Sequence, residues 1–295
     1  MKHAYLIIAH NEPLILKTLI SLIDDKRNDI FLLIDSRSNL IPQNINISPR
    51  YSSLYYCNRV PIYWGDYSQI QAEMLLFETA FKHGPYTYYH LLSGVCLPIK
   101  SQDYIHDFLD KNNGKEFVGF IFSDFAKEDI NRKISYYHFW VSNFLHPNLF
   151  FRLTKLQGIV FKLQVKLGIK RHYQKELQKG SNWVSITNEF VQYLLSQKDW
   201  IKKTFHHTLC GDEIFLQSVL WNSPFKSKIY NVTDCYKSSL RFIDFQGWHP
   251  KTLTIKDYER IIHSECLFAR KFSSSNIDLV KKLYDHIISN KKIDS

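Results

Sequence analysis

Apolar residues along the first hundred positions alternate between unbroken runs and stretches spaced by threes and fours, the pattern of strands and helices taking turns. Ala4-Tyr5-Leu6-Ile7-Ile8-Ala9 is a continuous run of strand length, as in a parallel strand buried on both faces. Asn11-Glu12-Pro13 then opens a helix pattern through Leu16, Leu19, Ile20 and Ile23, with proline near the first turn. Ile30-Phe31-Leu32-Leu33-Ile34 is a second buried strand ending at Asp35, so the segment predicts a βαβ unit. Ligands of such folds bind beyond the carboxyl ends of the strands, and His10 and Asp35 fall at that edge. A strand around Ser53–Tyr56 leads through Tyr63-Trp64-Gly65-Asp66-Tyr67 to a helix pattern over Ser68–Lys82, with Ser68 as its N-cap. Tyr86–Leu92 is another strand, running into Ser93-Gly94 and Leu97-Pro98.

After Phe117–Ile121 the pattern turns irregular, then helical and basic. Asn182–Thr187 reads as a strand and Asn188–Ser196 as a helix. A strand near Ile229–Val232, a loop over Arg241–Pro250, two helices and a Ser/Asn/Lys-rich tail close the chain, with disorder expected over 289–295. Neither a repeat nor a Pro/Gly-rich linker interrupts it, so one α/β domain over 1–295 is expected.

The most informative stretch for chemistry is Cys210-Gly211-Asp212-Glu213-Ile214-Phe215-Leu216-Gln217, where two acids follow a glycine and begin an apolar helix pattern. A carboxylate so placed can act as general base for a sugar hydroxyl. It can equally be an N-terminal cap, with Asp212 capping and Glu213 favoured by the helix dipole.

Composition narrows the classes. Hydrophobic residues make up 45% and aromatics 15%, which excludes a disordered or fibrous chain. The five cysteines (Cys57, Cys96, Cys210, Cys235, Cys266) form no CxxC pair and no cluster with zinc spacing, as expected of reduced cytosolic thiols. The N-terminal apolar run is too short for a signal peptide, and no stretch reaches the ~18 apolar residues a membrane span needs. Of the net charge of +10, +7 lies between Arg152 and Lys179, eight basic residues against the single acid Glu176. Apolar residues recur there at helical steps (Leu153, Leu156, Ile159, Val160, Leu163, Leu167). The expectation over about 151–179 is a basic amphipathic helix that either packs its apolar face on the domain or lies on an anionic bilayer. With no RNA- or DNA-binding motif and the charge confined to one segment, nucleic acid is not an expected partner.

Several segments coincide in order: Ala4–Ile7 with His10-Asn11, Ile34-Asp35, Tyr63-Trp64-Gly65, Leu92-Ser93-Gly94 with Leu97–Lys100, Gly180-Ser181-Asn182-Trp183, Gly211-Asp212-Glu213, and Phe268-Ala269-Arg270-Lys271-Phe272. In this order they resemble the core-2/I-branching β-1,6-N-acetylglucosaminyltransferase family (glycosyltransferase family 14) in its short bacterial form, over roughly residues 4 to 272. The resemblance implies a GT-A-like α/β fold, a Rossmann-like nucleotide-sugar half with a mixed sheet flanked by helices. It implies inverting transfer of GlcNAc from UDP-GlcNAc to a sugar hydroxyl, in a β-1,6-type linkage, during polysaccharide or glycoconjugate synthesis. The family lacks the DxD metal motif, and here no Asp-x-Asp follows a strand, so no cofactor or divalent metal is expected.

By the same resemblance Glu213 is the catalytic base and Asp212 caps the helix or orients it. Lys271 and Arg241 hold the diphosphate, Asp35 contacts the uridine, and His10 lines the same pocket. Ser181 and Trp183 lie close to the sugar, Glu116 falls where the family has an acceptor-binding acid, and Trp64 and Trp248 are further candidates for stacking. Many members carry Asp after Ser-Gly-x; here Cys96 stands in that place, which leaves the sugar pocket open to another donor such as UDP-xylose. Partners implied are UDP-GlcNAc and a glycan acceptor, and a lipid-linked acceptor would suit the basic segment. The expected location is the bacterial cytoplasm, peripheral on the inner face of the membrane if that segment meets lipid. The other classes to set against an enzyme are a non-catalytic sugar-nucleotide-binding relative and a nucleic-acid-binding protein.

Overall fold

A computed structural model describes residues 1–41, 45–139, 141–142, 147–247 and 249–291, with the backbone alone for 147–154, 290 and 291. Strands β1 (His3–Ala9), β2 (Asn28–Ile34), β3 (Ser53–Tyr56), β4 (Tyr88–Ser93) and β6 (Ser185–Thr187) form a sheet in the order β3-β2-β1-β4-β6. The first four run parallel and β6 pairs antiparallel with β4, so the sheet is mixed. The unbroken apolar runs have a direct cause: successive side chains point to opposite faces, and both faces are covered. Tyr5, Ile7, Ile30, Leu32 and Leu92 join a core with α1 (Pro13–Ile23), α3 (Gln102–Lys111) and the C-terminal helices; Ala4, Leu6, Phe31, Leu33 and Leu91 join a second with α2 (Tyr67–His83), α6 (Asn188–Ser196) and α8 (Phe215–Trp221). Each large side chain buried in this way contributes about 1.5–3 kcal/mol.

Register brings Ala9 beside Ile34 and Ile8 beside Ser93, so β1, β2 and β4 end together. The turn after β4 packs closely on β1: Gly94 donates to the Ile8 carbonyl at 2.8 Å, and a Cβ at Gly94 would meet that of Ala9 at 2.9 Å. A smaller sheet, β5 (Leu97–Pro98), β8 (Phe268–Arg270) and β7 (Arg241–Ile243) in the order β5-β8-β7, delivers the segment after β8 to this same edge. There the Phe272 N–H donates to the Val95 carbonyl at 3.0 Å, and the Lys271 carbonyl accepts from Leu253 at 2.9 Å.

Several expectations shift by local chemistry. The cap of α2 is Asp66, whose carboxylate accepts from the Ser68 N–H, while the Ser68 hydroxyl accepts from the N–H of Tyr63. Ile229, in an expected strand, makes a single bridge to Glu116, and Phe117 makes one to Ser185. The basic segment divides: α5 spans Pro147–Lys166, and the chain then runs without regular structure to Lys179. Beyond α5 its cations separate, Arg171 donating to the carbonyls of Ile134 and Lys203 and Lys175 lying over the Trp200 ring. The last helix, Ile277–Lys291, runs through 289–291, part of the expected disordered tail; 292–295 lie outside the described residues. Among the described residues no helix is long and apolar enough to cross a membrane.

Candidate functional site

At the shared carboxyl edge, Asp35 follows β2 and its Oδ1 accepts from the N–H groups of Arg37 (2.9 Å) and Ile62 (3.1 Å). The carboxylate thus organises the loop beside it, and among the described residues Oδ2 takes no hydrogen bond. His10 follows β1 at the rim. Partial desolvation lowers its pKa; Asp35 opposes that, and Lys271 and Arg270 reinforce it. The structure therefore brings His10, Asp35, Arg270 and Lys271 into one electrostatic neighbourhood, with Lys271 partly exposed. The Arg270 guanidinium lies 4.7 Å from the centre of the Trp183 indole, its charge against the π face, and its buried Nε has no hydrogen-bond partner among the described residues. Burial lowers its pKa.

Trp183 leads to the acidic loop. Gly180 donates to the Glu213 carbonyl at 2.9 Å, and Gln217 Nε2 donates to the Ser181 carbonyl at 2.6 Å. Gly180 must be glycine, because a Cβ would fall 1.8 Å from the Gly119 carbonyl oxygen. Residues 211–213 form one 3-10 turn, and α8 starts only after Ile214. Across from it, the exposed Trp64 precedes Gly65, whose φ of 75° suits glycine and whose carbonyl accepts from Cys210 at 2.7 Å.

Glu213 has a side chain 40% exposed, open to solvent on one side and held on the other by Lys179 Nζ at 3.2 Å and Lys133 Nζ at 3.5 Å. Both ammoniums also contact Asp129, at 2.8 Å from Lys133 and 2.5 Å from Lys179. Burial opposes the charge on Lys133, but Glu213 and Asp129 outweigh it and raise its pKa. The tetrad locks the direction of Glu213 while leaving one edge of the carboxylate free.

Asp212 neither caps nor faces the cleft. It is buried, with Oδ2 accepting from Gln69 Nε2 at 3.1 Å and Asn182 Nδ2 at 3.3 Å, and the turn has no side-chain cap. Burial, reinforced by Glu213, pushes its pKa up to about 7. Glu73, one turn beyond Gln69 on α2, is buried beside it; burial and the Asp212 charge raise its pKa, an Asn182 hydrogen bond opposes this only in part, and its Oε2 has no partner among the described residues. Two carboxyls so close in a dry site do not both ionise.

Two expected ligands stand elsewhere. Arg241 is buried, its Nη1 donating to the Ser239 carbonyl and its Nη2 to the Val184 carbonyl, each at 2.7 Å, and to Ser185 Oγ at 3.0 Å. It stacks on Phe268 and braces β7 against β6. Glu116 is fully buried with both oxygens committed to Thr187, Oε2 to its N–H at 3.0 Å and Oε1 to its hydroxyl at 2.5 Å, so it anchors the start of α6 rather than meeting an acceptor. Cys96 is buried with its Sγ 3.1 Å from the Ser93 hydroxyl, and it lies in the electrostatic surroundings of Arg270. Trp248 lies outside the described residues.

Lys133, Lys179, Asp129, Glu73 and Arg270 were not legible as site residues. The first four sit in stretches whose charges read as solvated faces. Only Arg270 had a signal, its place beside Lys271.

The carboxyl edge of the parallel sheet gathers His10, Asp35, Arg270 and Lys271, and segment 180–183 links Arg270 to the turn that carries Glu213. Cations and a fixed, half-exposed carboxylate are the parts of a sugar-transfer site, and the family model agrees that this protein is a glycosyltransferase. The chain belongs to the Core-2/I-branching enzyme family, whose model matches residues 3–262. Similar solved structures include mouse xyloside xylosyltransferase 1 in its apo form, 10% identical, with 93% of this chain and 98% of that chain covered at a TM-score of 0.41. Another is S. aureus TarS 1–349, 12% identical, covering 49% and 44% of the two chains at a TM-score of 0.27. Likenesses this remote bear on neither substrate nor mechanism. Curated protein sequences give no match.

Proposed function

We propose that the protein transfers GlcNAc from UDP-GlcNAc to a glycan hydroxyl by a single inverting displacement, without a divalent metal, forming a β-1,6-type linkage. The observation that carries this reading is Glu213, a half-open carboxylate whose orientation is set by Lys133 and Lys179. Its free edge takes the proton of the acceptor hydroxyl as that oxygen attacks the anomeric carbon. The bond from that carbon to the β-phosphate oxygen breaks, and UDP leaves with the electron pair. An α-linked donor thus gives a β-glycoside, with no covalent intermediate on the enzyme. Arg270 and Lys271 neutralise charge growing on the diphosphate, the work a cation does in metal-dependent transferases. Asp35 and His10 border the nucleoside end, and the exposed Trp64 offers a face to the sugars. Trp183, expected at the sugar, is instead buried with Arg270 over its ring and serves to hold that guanidinium.

Calorimetry with UDP, UDP-GlcNAc, UDP-Xyl, UDP-Glc and UDP-Gal, each in EDTA, tests the donor. The expected outcome is selective binding of UDP-GlcNAc. Selective binding of another sugar nucleotide replaces the donor, and binding only after Mn²⁺ addition overturns the metal-free mechanism.

A further inference from the structure

The face by which α5 docks is not its most apolar one. Gln157, Phe161 and Gln164 point inward: Gln157 Nε2 donates to His138 Nδ1 at 2.9 Å, Phe161 meets Tyr136 edge-on at 4.9 Å, and Gln164 exchanges two hydrogen bonds with the Tyr137 backbone at 2.8 and 3.0 Å. Leu156, Ile159 and Leu163, with Leu167 just past the helix end, recur at three- and four-residue steps along a different arc, and they are 41%, 62%, 52% and 61% exposed. Lys155, Lys162 and Lys166, seven and four residues apart, form the adjacent arc and are all exposed. No Asp or Glu occurs anywhere in Pro147–Lys166.

Four large aliphatic side chains in one stripe are a costly surface to leave in water, and monomers rarely carry one without a use. The lysine row beside it settles the chemistry of the occupant. A bilayer with anionic headgroups satisfies both arcs at once, aliphatic side chains entering the acyl boundary while the ammoniums stay among the phosphates. We infer that the exposed stripe of α5 seats the protein on an anionic membrane surface, without spanning it. This does not rest on the proposed donor or base.

The test is co-sedimentation of the full chain with vesicles of phosphatidylcholine, with and without phosphatidylglycerol. The wild type should bind the anionic vesicles and be released by salt. Ile159→Ser/Leu163→Ser should weaken partitioning by roughly tenfold or more, and Lys155→Ala/Lys162→Ala/Lys166→Ala by on the order of 100-fold. These side chains are exposed, so both variants should melt with the wild type. Three results overturn the inference: no binding, or equal binding to neutral vesicles; anionic binding untouched by the aliphatic substitutions, which is adsorption of a basic protein through another surface; and a solution dimer that the aliphatic substitutions dissociate, which makes the stripe a self-interface. Sugar-nucleotide binding in calorimetry is read separately, so either claim can fail alone.

Discussion

Arg241 and Arg270 lie on neighbouring paired strands, β7 and β8, and their surroundings give them different work. Arg241 spends its guanidinium on two backbone carbonyls and a buried serine. Among the described residues the Nε of each is buried without a hydrogen bond, but the Arg270 guanidinium lies over the Trp183 ring, next in sequence to Lys271. Arg270→Ala and Lys271→Ala should each cost UDP about 1.5–3 kcal/mol of binding with little change in melting. Arg241→Met should lower the melting temperature by several degrees, because the Ser239 carbonyl is left unpaired at about 1–3 kcal/mol, while the Val184 carbonyl keeps its bond from the Leu91 N–H. Calorimetry and melting on the same three variants check both halves. Behind the base, the folded pKa values of Glu73 and Asp212 lie above their unfolded values. Stability from these groups is therefore full below about pH 4 and is lost as pH rises through about 7 for Asp212 and through the raised value of Glu73. Glu73→Gln removes one titration, so its melting temperature should gain on the wild type as pH rises above the ordinary carboxylate range; a difference that stays constant would contradict the buried pair. Glu213 and Lys271 could be nominated because short motifs carry them in register. The burial of Glu116 and Arg241 could not be foreseen, because a polar residue at the right place in order gives no sign of which way it points. Their burial is decided by contacts with Thr187, Val184 and Ser185, residues distant in sequence.

Among the elements, the parallel core was plain from its apolar runs, and α6 falls on its expected bounds, Asn188–Ser196. Short segments were harder. The turn at 211–213 owes its shape to hydrogen bonds from α2 and from 180–182, which no local pattern encodes. The edge between β1, β4 and α3 hides another feature: His3, His90 and His106 are buried together, with His3 stacked on His106 at 3.9 Å and His90 Nε2 3.3 Å from His3 Nδ1. Arg27, Asp25, Asp103, Arg241 and the N-terminus face this cluster. Burial lowers all three pKa values, that of His106 to about 4. The folded state favours neutral rings, so this stability is full above the unfolded value of about 6.5 and is lost as pH falls through the folded values. His106→Gln should therefore lose less stability than the wild type between about pH 6.5 and 4, read as melting temperature against pH. Parallel curves would remove the cluster from the acid response.

Across the whole molecule, the cationic and acidic parts of the proposed site are fastened to one another. β8 carries Arg270 to Trp183, and the same segment, 180–183, bonds to the turn that presents Glu213. That continuity explains why motifs some ninety residues apart belong to one site. It also predicts that the base can be removed without disturbing the nucleotide end. The central measurement is therefore Glu213→Gln against wild type, with transfer from UDP-GlcNAc to a glycan acceptor and UDP affinity determined on the same preparations. The account predicts that turnover falls by about a thousandfold while UDP affinity stays within about twofold. Transfer retained at a substantial fraction of the wild-type rate would contradict it.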